Sequence, residues 1–74
     1  MGHTATYTFS VQGMHCASCG MLIDETLEDL AGVRTSATNL RKNQSVVELD
    51  PATCSPTQVI AAIGEAGYTA RLQA

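Results

Sequence analysis

Two cysteines three residues apart, Cys16 and Cys19, stand between a run that alternates and a run that repeats at helical spacing. No other feature constrains the chain as much. From Thr6 to Gln12, Tyr7, Phe9 and Val11 fall on one side and Thr8, Ser10 and Gln12 on the other, the period of a half-buried strand. Gly13 breaks the run. From Met21 to Leu30, Leu22, Ile23, Thr26, Leu27 and Leu30 recur at helical spacing, opposite Asp24, Glu25, Glu28 and Asp29. The acidic side is expected to face solvent, and its early acids to suit the helix dipole. The helix is expected to begin at Ser18 or Cys19 and to end at Gly32. The cysteine pair therefore straddles a strand-to-helix turn. Helix N-termini present unpaired N–H groups and a partial positive charge, and both favour thiolate over thiol.

Such a loop suits a soft metal ion or dithiol redox chemistry. Two thiolates are too few for a closed structural zinc site, which takes four ligands. Soft thiolate ligation suits Cu(I). A redox dithiol of the thioredoxin kind usually needs a fold of about 100 residues, more than the 74 of this chain. A zinc site that recruits Cys54 or a histidine is the remaining alternative from the residues alone.

The rest of the chain supplies a small frame. Val33 to Leu40 reads as a weak strand whose low apolarity suits a sheet edge. Arg41–Gln44 is a polar turn, and Val46 to Asp50 is the second arm of a hairpin. A loop runs from Asp50 to Cys54. Ser55-Pro56-Thr57-Gln58 then reads as a capping box with proline at the first helical position. Val59, Ile60, Ala62, Ile63 and Ala66 give a second apolar helix face; Gly67 closes that helix, and Tyr68 to Leu72 is a last short strand. The order is βαββαβ. Two amphipathic helices on one face of a four-stranded antiparallel sheet make a ferredoxin-like α/β sandwich, and residues 1–74 are expected to form one domain.

Charge and composition narrow the partners. A net charge of −3, with only four basic residues scattered along the chain, argues against nucleic acid. No apolar run approaches the length of a membrane span, so no membrane insertion is expected. Met1 to Ala5 lacks the basic and apolar regions of a secretory signal. Three cysteines is an odd count that fits a reducing compartment better than a disulfide framework. The expected location is cytoplasmic. No base–nucleophile pair is present beyond the two thiolates, which argues against an enzyme.

Gly13-Met14-His15-Cys16-Ala17-Ser18-Cys19 resembles the GMxCxxC loop of the heavy-metal-associated domains, a family that includes small copper chaperones and the N-terminal domains of metal-transporting P-type ATPases. Asp50-Pro51 after the third strand and Gly67-Tyr68 before the fourth also resemble that family, so the likeness covers nearly the whole chain. The resemblance implies that Cys16 and Cys19 ligate the metal. It implies that Met14 packs inward and props the loop, and that His15 is exposed. Tyr68 is similar to the tyrosine of the bacterial branch, placed to shield the site. The chain departs from the family at Ser36 and Thr38, where valines are usual.

Tracing the elements up and down places the β1–α1, β2–β3 and α2–β4 connections at one end. Cys54, in the β3–α2 connection, falls at the other end with His3, out of reach of the same ion. The expectation is a Cu(I) chaperone that binds one ion through Cys16 and Cys19 and passes it by ligand exchange to the metal-binding domain of a copper-transporting P-type ATPase. A Cu-bridged homodimer is compatible with that exposed loop. The alternatives are a metal-binding domain of a copper ATPase or a mercuric reductase, and a mercury or zinc carrier. Zinc-transporting relatives tend to carry an acid beside the pair; here the nearest is Asp24.

Overall fold

The computed structural model describes residues 4–15 and 17–73. Six elements follow one another: β1 Ala5–Gln12, α1 Ala17–Glu28, β2 Val33–Asn39, β3 Gln44–Leu49, α2 Pro56–Glu65 and β4 Thr69–Leu72. The strands form one antiparallel sheet in the order β2-β3-β1-β4. Alternate strand residues (Phe9, Val11, Val47, Leu49, Ala70) join Ile23, Leu27, Val59, Ala62 and Ile63 of the helices in a single core. Both helices therefore cover the same face, and the fold is the expected ferredoxin-like βαββαβ sandwich. The large side chains that are fully buried contribute about 1.5–3 kcal/mol each; they are aliphatic apart from Phe9. Among the described residues no helix is long and apolar enough to cross a membrane.

The termini of α2 form as their residues dictate. Ser55 Oγ accepts from the Gln58 backbone N–H, Gln58 Oε1 accepts from the Ser55 N–H, and Pro56 opens the helix. At the other end the Gly67 N–H donates to the Gly64 carbonyl and the Tyr68 N–H to the Ile63 carbonyl, with Gly67 at φ +101°. This is the Schellman arrangement. It turns the chain sharply and delivers Tyr68 to the head of β4, so that the strand itself begins at Thr69.

α1 departs from the expected pattern. It begins at Ala17 and ends at Glu28, four residues before Gly32, because the following N–H groups tighten: Leu30 donates to Leu27, and Val33 to Leu30. Its inward line runs through Gly20, Ile23, Asp24 and Leu27. At 3.6 residues per turn Leu22 points nearly opposite that line, and it is 45% exposed. Asp24, expected on the solvent side, instead turns under the helix toward β2. Its Oδ1 accepts from Ser36 Oγ at 2.7 Å and from Thr38 Oγ1 at 2.7 Å, and its Oδ2 from the Thr38 N–H at 3.3 Å. The hydroxyls at the edge strand are thus matched to an acid on the helix. No buried side-chain nitrogen or oxygen among the described residues lacks a partner.

Two shorter differences share one cause. β3 begins at Gln44 rather than Val46, and the turn before it is Leu40–Asn43, because Asn43 adopts φ +52° and closes the hairpin early. Its carbonyl accepts from the Val11 N–H at 2.8 Å, which ties the β2–β3 turn to the end of β1.

Candidate metal centre

Gly13 leaves β1 at φ +100°, a conformation that favours glycine. A Cβ there would stand 3.4 Å from Tyr68 Cδ1, so the tyrosine ring lies against the first residue of the loop. The expected tracing is correct: the α2–β4 connection meets the β1–α1 loop. Met14 is buried and belongs to the core. It anchors the loop from below as an adaptable apolar side chain does. His15, next along, is exposed.

Cys16 lies outside the described residues, as does His3. Cys19 is half-buried, packs against the core and occupies the third position of α1. With the helix starting at Ala17, its first turn holds no acidic residue, contrary to the expected early acids. The positive end of the helix is left to whatever anion the loop presents. Gly20, the next residue, is buried: a Cβ on it would come within 3.3 Å of Thr38 Cγ2. α1 therefore lies close against β2 right behind Cys19.

Among the described residues no group of three or more His, Cys, Asp or Glu side chains converges on one point. Asp24, the nearest acid to the pair in sequence, has its carboxylate engaged with β2 as described. Among the described residues, what this loop can offer a metal is the sulfur of half-buried Cys19 at a helix start.

Cys54 sits at the opposite end. Ala5 pairs with Leu49 there, whereas Gln12 pairs with Thr69 beside the loop. The length of β1, at about 3.3 Å per residue, puts roughly 20 Å between the ends. Cys54 is 2% exposed. Its Sγ–H points to the Ser55 carbonyl at 3.6 Å, and burial raises the thiol above its ordinary value of 9.0. A protonated, enclosed thiol is a poor ligand and a slow nucleophile. The air-formed dimers that an exposed cysteine would give are not expected from it.

The model of the heavy-metal-associated domain family matches residues 8–69. The copper chaperone CopZ of Enterococcus hirae is 38% identical over 64 residues, covering 86% of this chain and 93% of that protein. The mercuric transport protein periplasmic component of Salmonella typhi is 36% identical over 70 residues, covering 95% of this chain and 77% of that protein. Their names describe a chaperone and a transport component, not an enzyme. Among solved structures, oxidized MerP from Ralstonia metallidurans CH34 superposes with a TM-score of 0.92 at 29% identity, covering 97% of this chain and all of that one.

Proposed function

The chain belongs to the heavy-metal-associated domain family, and from that premise we propose that residues 1–74 are a single-domain Cu(I) metallochaperone. One Cu(I) is its cargo, held by the thiolates of Cys16 and Cys19. The observation that carries this reading is the placement of Cys19. It stands in the acid-free first turn of α1, beside a loop anchored by buried Met14 and covered by Tyr68. Soft sulfur donors without a neighbouring oxygen ligand suit Cu(I) better than Zn(II). Similarity to CopZ over most of both chains supports the same cargo.

Release runs by ligand exchange. A thiolate of the acceptor adds to the open side of the bound ion, a Cu–S bond to Cys16 or Cys19 then breaks, and a second acceptor thiolate displaces the other. Charge and protons balance because thiolates replace thiolates. The acceptor of matching chemistry is the metal-binding domain of a copper-transporting P-type ATPase, reached in the cytoplasm; a Cu-bridged pair of these chains would be the same mixed site formed between two copies.

A mercury carrier is the second reading. The observation that favours it is the similarity, nearly as high, to a mercuric transport component described as periplasmic. Anaerobic competition of Cu(I) and of Zn(II) against chelators of graded affinity tests the first reading. The chaperone reading expects one tightly held Cu(I) per chain and Zn(II) bound far more weakly. Equal or greater preference for Zn(II) would remove it. Delivery of Cu(I) to an isolated ATPase metal-binding domain, followed by NMR shifts at Cys19, tests the transfer step.

A further inference from the structure

We propose that Asp24 is a positioning residue of the metal loop, holding the first two turns of α1, and with them Cys19, in register on β2. The inference rests on the reading of Cys19 as a metal ligand. Between this part of the helix and the β2–β3 hairpin, Gly20 faces Thr38 Cγ2 and Leu40 Cδ1, while Asp24 faces the hydroxyls of Ser36 and Thr38, with Ser45 of β3 behind Thr38. Directional hydrogen bonds add to that contact.

The bonds form an ordered chain. Thr38 has one hydroxyl proton, and it is committed to Asp24 Oδ1 at 2.7 Å. The contact of 2.8 Å between Thr38 Oγ1 and Ser45 Oγ must then have Ser45 as donor, since the carboxylate can only accept. Ser45 is fully buried and cannot turn to water. The proton order runs from Ser45 through Thr38 to Asp24, with Ser36 donating to the same oxygen. Asp24 is the sole terminus of this chain, and removing it leaves several donors under the helix unsatisfied.

Thr38 links that chain to the loop. While its hydroxyl and N–H hold Asp24, its Cγ2 forms the surface on which Gly20 rests. Gly20 is covalently next to Cys19. A displacement at Asp24 is therefore passed through one side chain to the residue beside the ligand. The hydroxyls of β2 do for the helix start what Ile23 and Leu27 do for its middle, with a fixed direction that apolar contacts lack.

The test compares Asp24→Ala, Asp24→Asn and Thr38→Val with Val59→Ala, a core truncation near the far end of the molecule. Two quantities are read: Cu(I) affinity of the full chain, and the rate of iodoacetamide alkylation of Cys19 in the metal-free Cys16→Ser background. Asp24→Ala is expected to weaken Cu(I) binding about tenfold, the scale of losing a residue that orients a metal ligand. It should speed alkylation about threefold or more, through local opening of the first turn. Thr38→Val, which keeps the methyl against Gly20, should move both in the same direction by less, and it preserves the test if Asp24→Ala does not fold. Asp24→Asn keeps one acceptor oxygen for the two hydroxyls but sets an amide NH2 against the Thr38 N–H, so it should fall between wild type and Asp24→Ala, and Val59→Ala should lower stability without changing either reading.

Unchanged affinity and alkylation in both Asp24→Ala and Thr38→Val would overturn the proposal, as would Val59→Ala giving the same losses. If the wild-type chain does not hold Cu(I) through its thiolates, the functional reading fails instead, and the alkylation rates still decide the positioning role.

Discussion

At one end of the sheet Gly13, at φ +100°, lies against Tyr68, and the chain continues through Met14 and His15 into the first turn of α1 at Cys19. At the other end Gly32, at φ +94°, lies against Cys54, and its carbonyl accepts from the Asp50 N–H at 2.7 Å. Each end has a glycine with positive φ and a cysteine. Cys19 stands half-buried in the first turn of α1; Cys54 is sealed behind the α1–β2 turn. What surrounds a thiol sets how readily it ionises, and the surroundings of Cys19 and Cys54 differ in that respect.

The largest effect that can break this comparison is loss of a thiolate. Cys16→Ser or Cys19→Ser should each cost at least about a thousandfold in Cu(I) affinity, roughly 4 kcal/mol, while circular dichroism shows the fold intact. If either variant binds as wild type does, the division of roles fails.

Next is Gly32→Ala. A Cβ there would lie 2.8 Å from Cys54 Cβ and 2.9 Å from Thr53 Cβ. Overpacking and the positive φ together should cost about 3 kcal/mol in denaturant unfolding, with the Cu(I) stoichiometry of the folded fraction unchanged. Gly13→Ala meets only an ordinary contact with Tyr68 at 3.4 Å. It should cost about 1–2 kcal/mol from φ alone. Equal losses at the two glycines would show that the far end is not the tighter one.

Much of this difference between the ends could be read along the chain. The alternation of Tyr7, Phe9 and Val11, the Ser55–Gln58 box and the Gly67-Tyr68 pair each announce an element through neighbours a few residues away. Counting elements then assigns each loop to an end. Asp24 could not be read that way. Its partners Ser36 and Thr38 lie 12 and 14 residues on, so local periodicity sees an acid among acids and assigns it to water. The same blindness placed Leu22 inward: its hydrophobicity counted, but its angle from the line of Gly20, Ile23 and Leu27 depends on where the helix packs. A serine and a threonine on an edge strand look like weak strand formers until the acid they hold is known.

A smaller effect sharpens the picture of Cys54. Burial holds its thiol above 9.0, so the folded chain keeps that proton after the unfolded chain has released its own. The resulting contribution to stability is complete below about pH 9 and is lost as pH rises through the folded value. Cys54→Ala should therefore flatten the decline of unfolding free energy above that pH. An identical slope in the variant would mean that the thiol is not enclosed in solution.

The most direct test asks whether the cargo is held at one end alone. Anaerobic Cu(I) titration of wild type and Cys54→Ala against a competing chelator, repeated at several protein concentrations, should give one ion per chain and the same affinity for both. A loss in Cys54→Ala greater than about tenfold, or roughly 1.4 kcal/mol, would contradict the account by placing Cys54 on the metal.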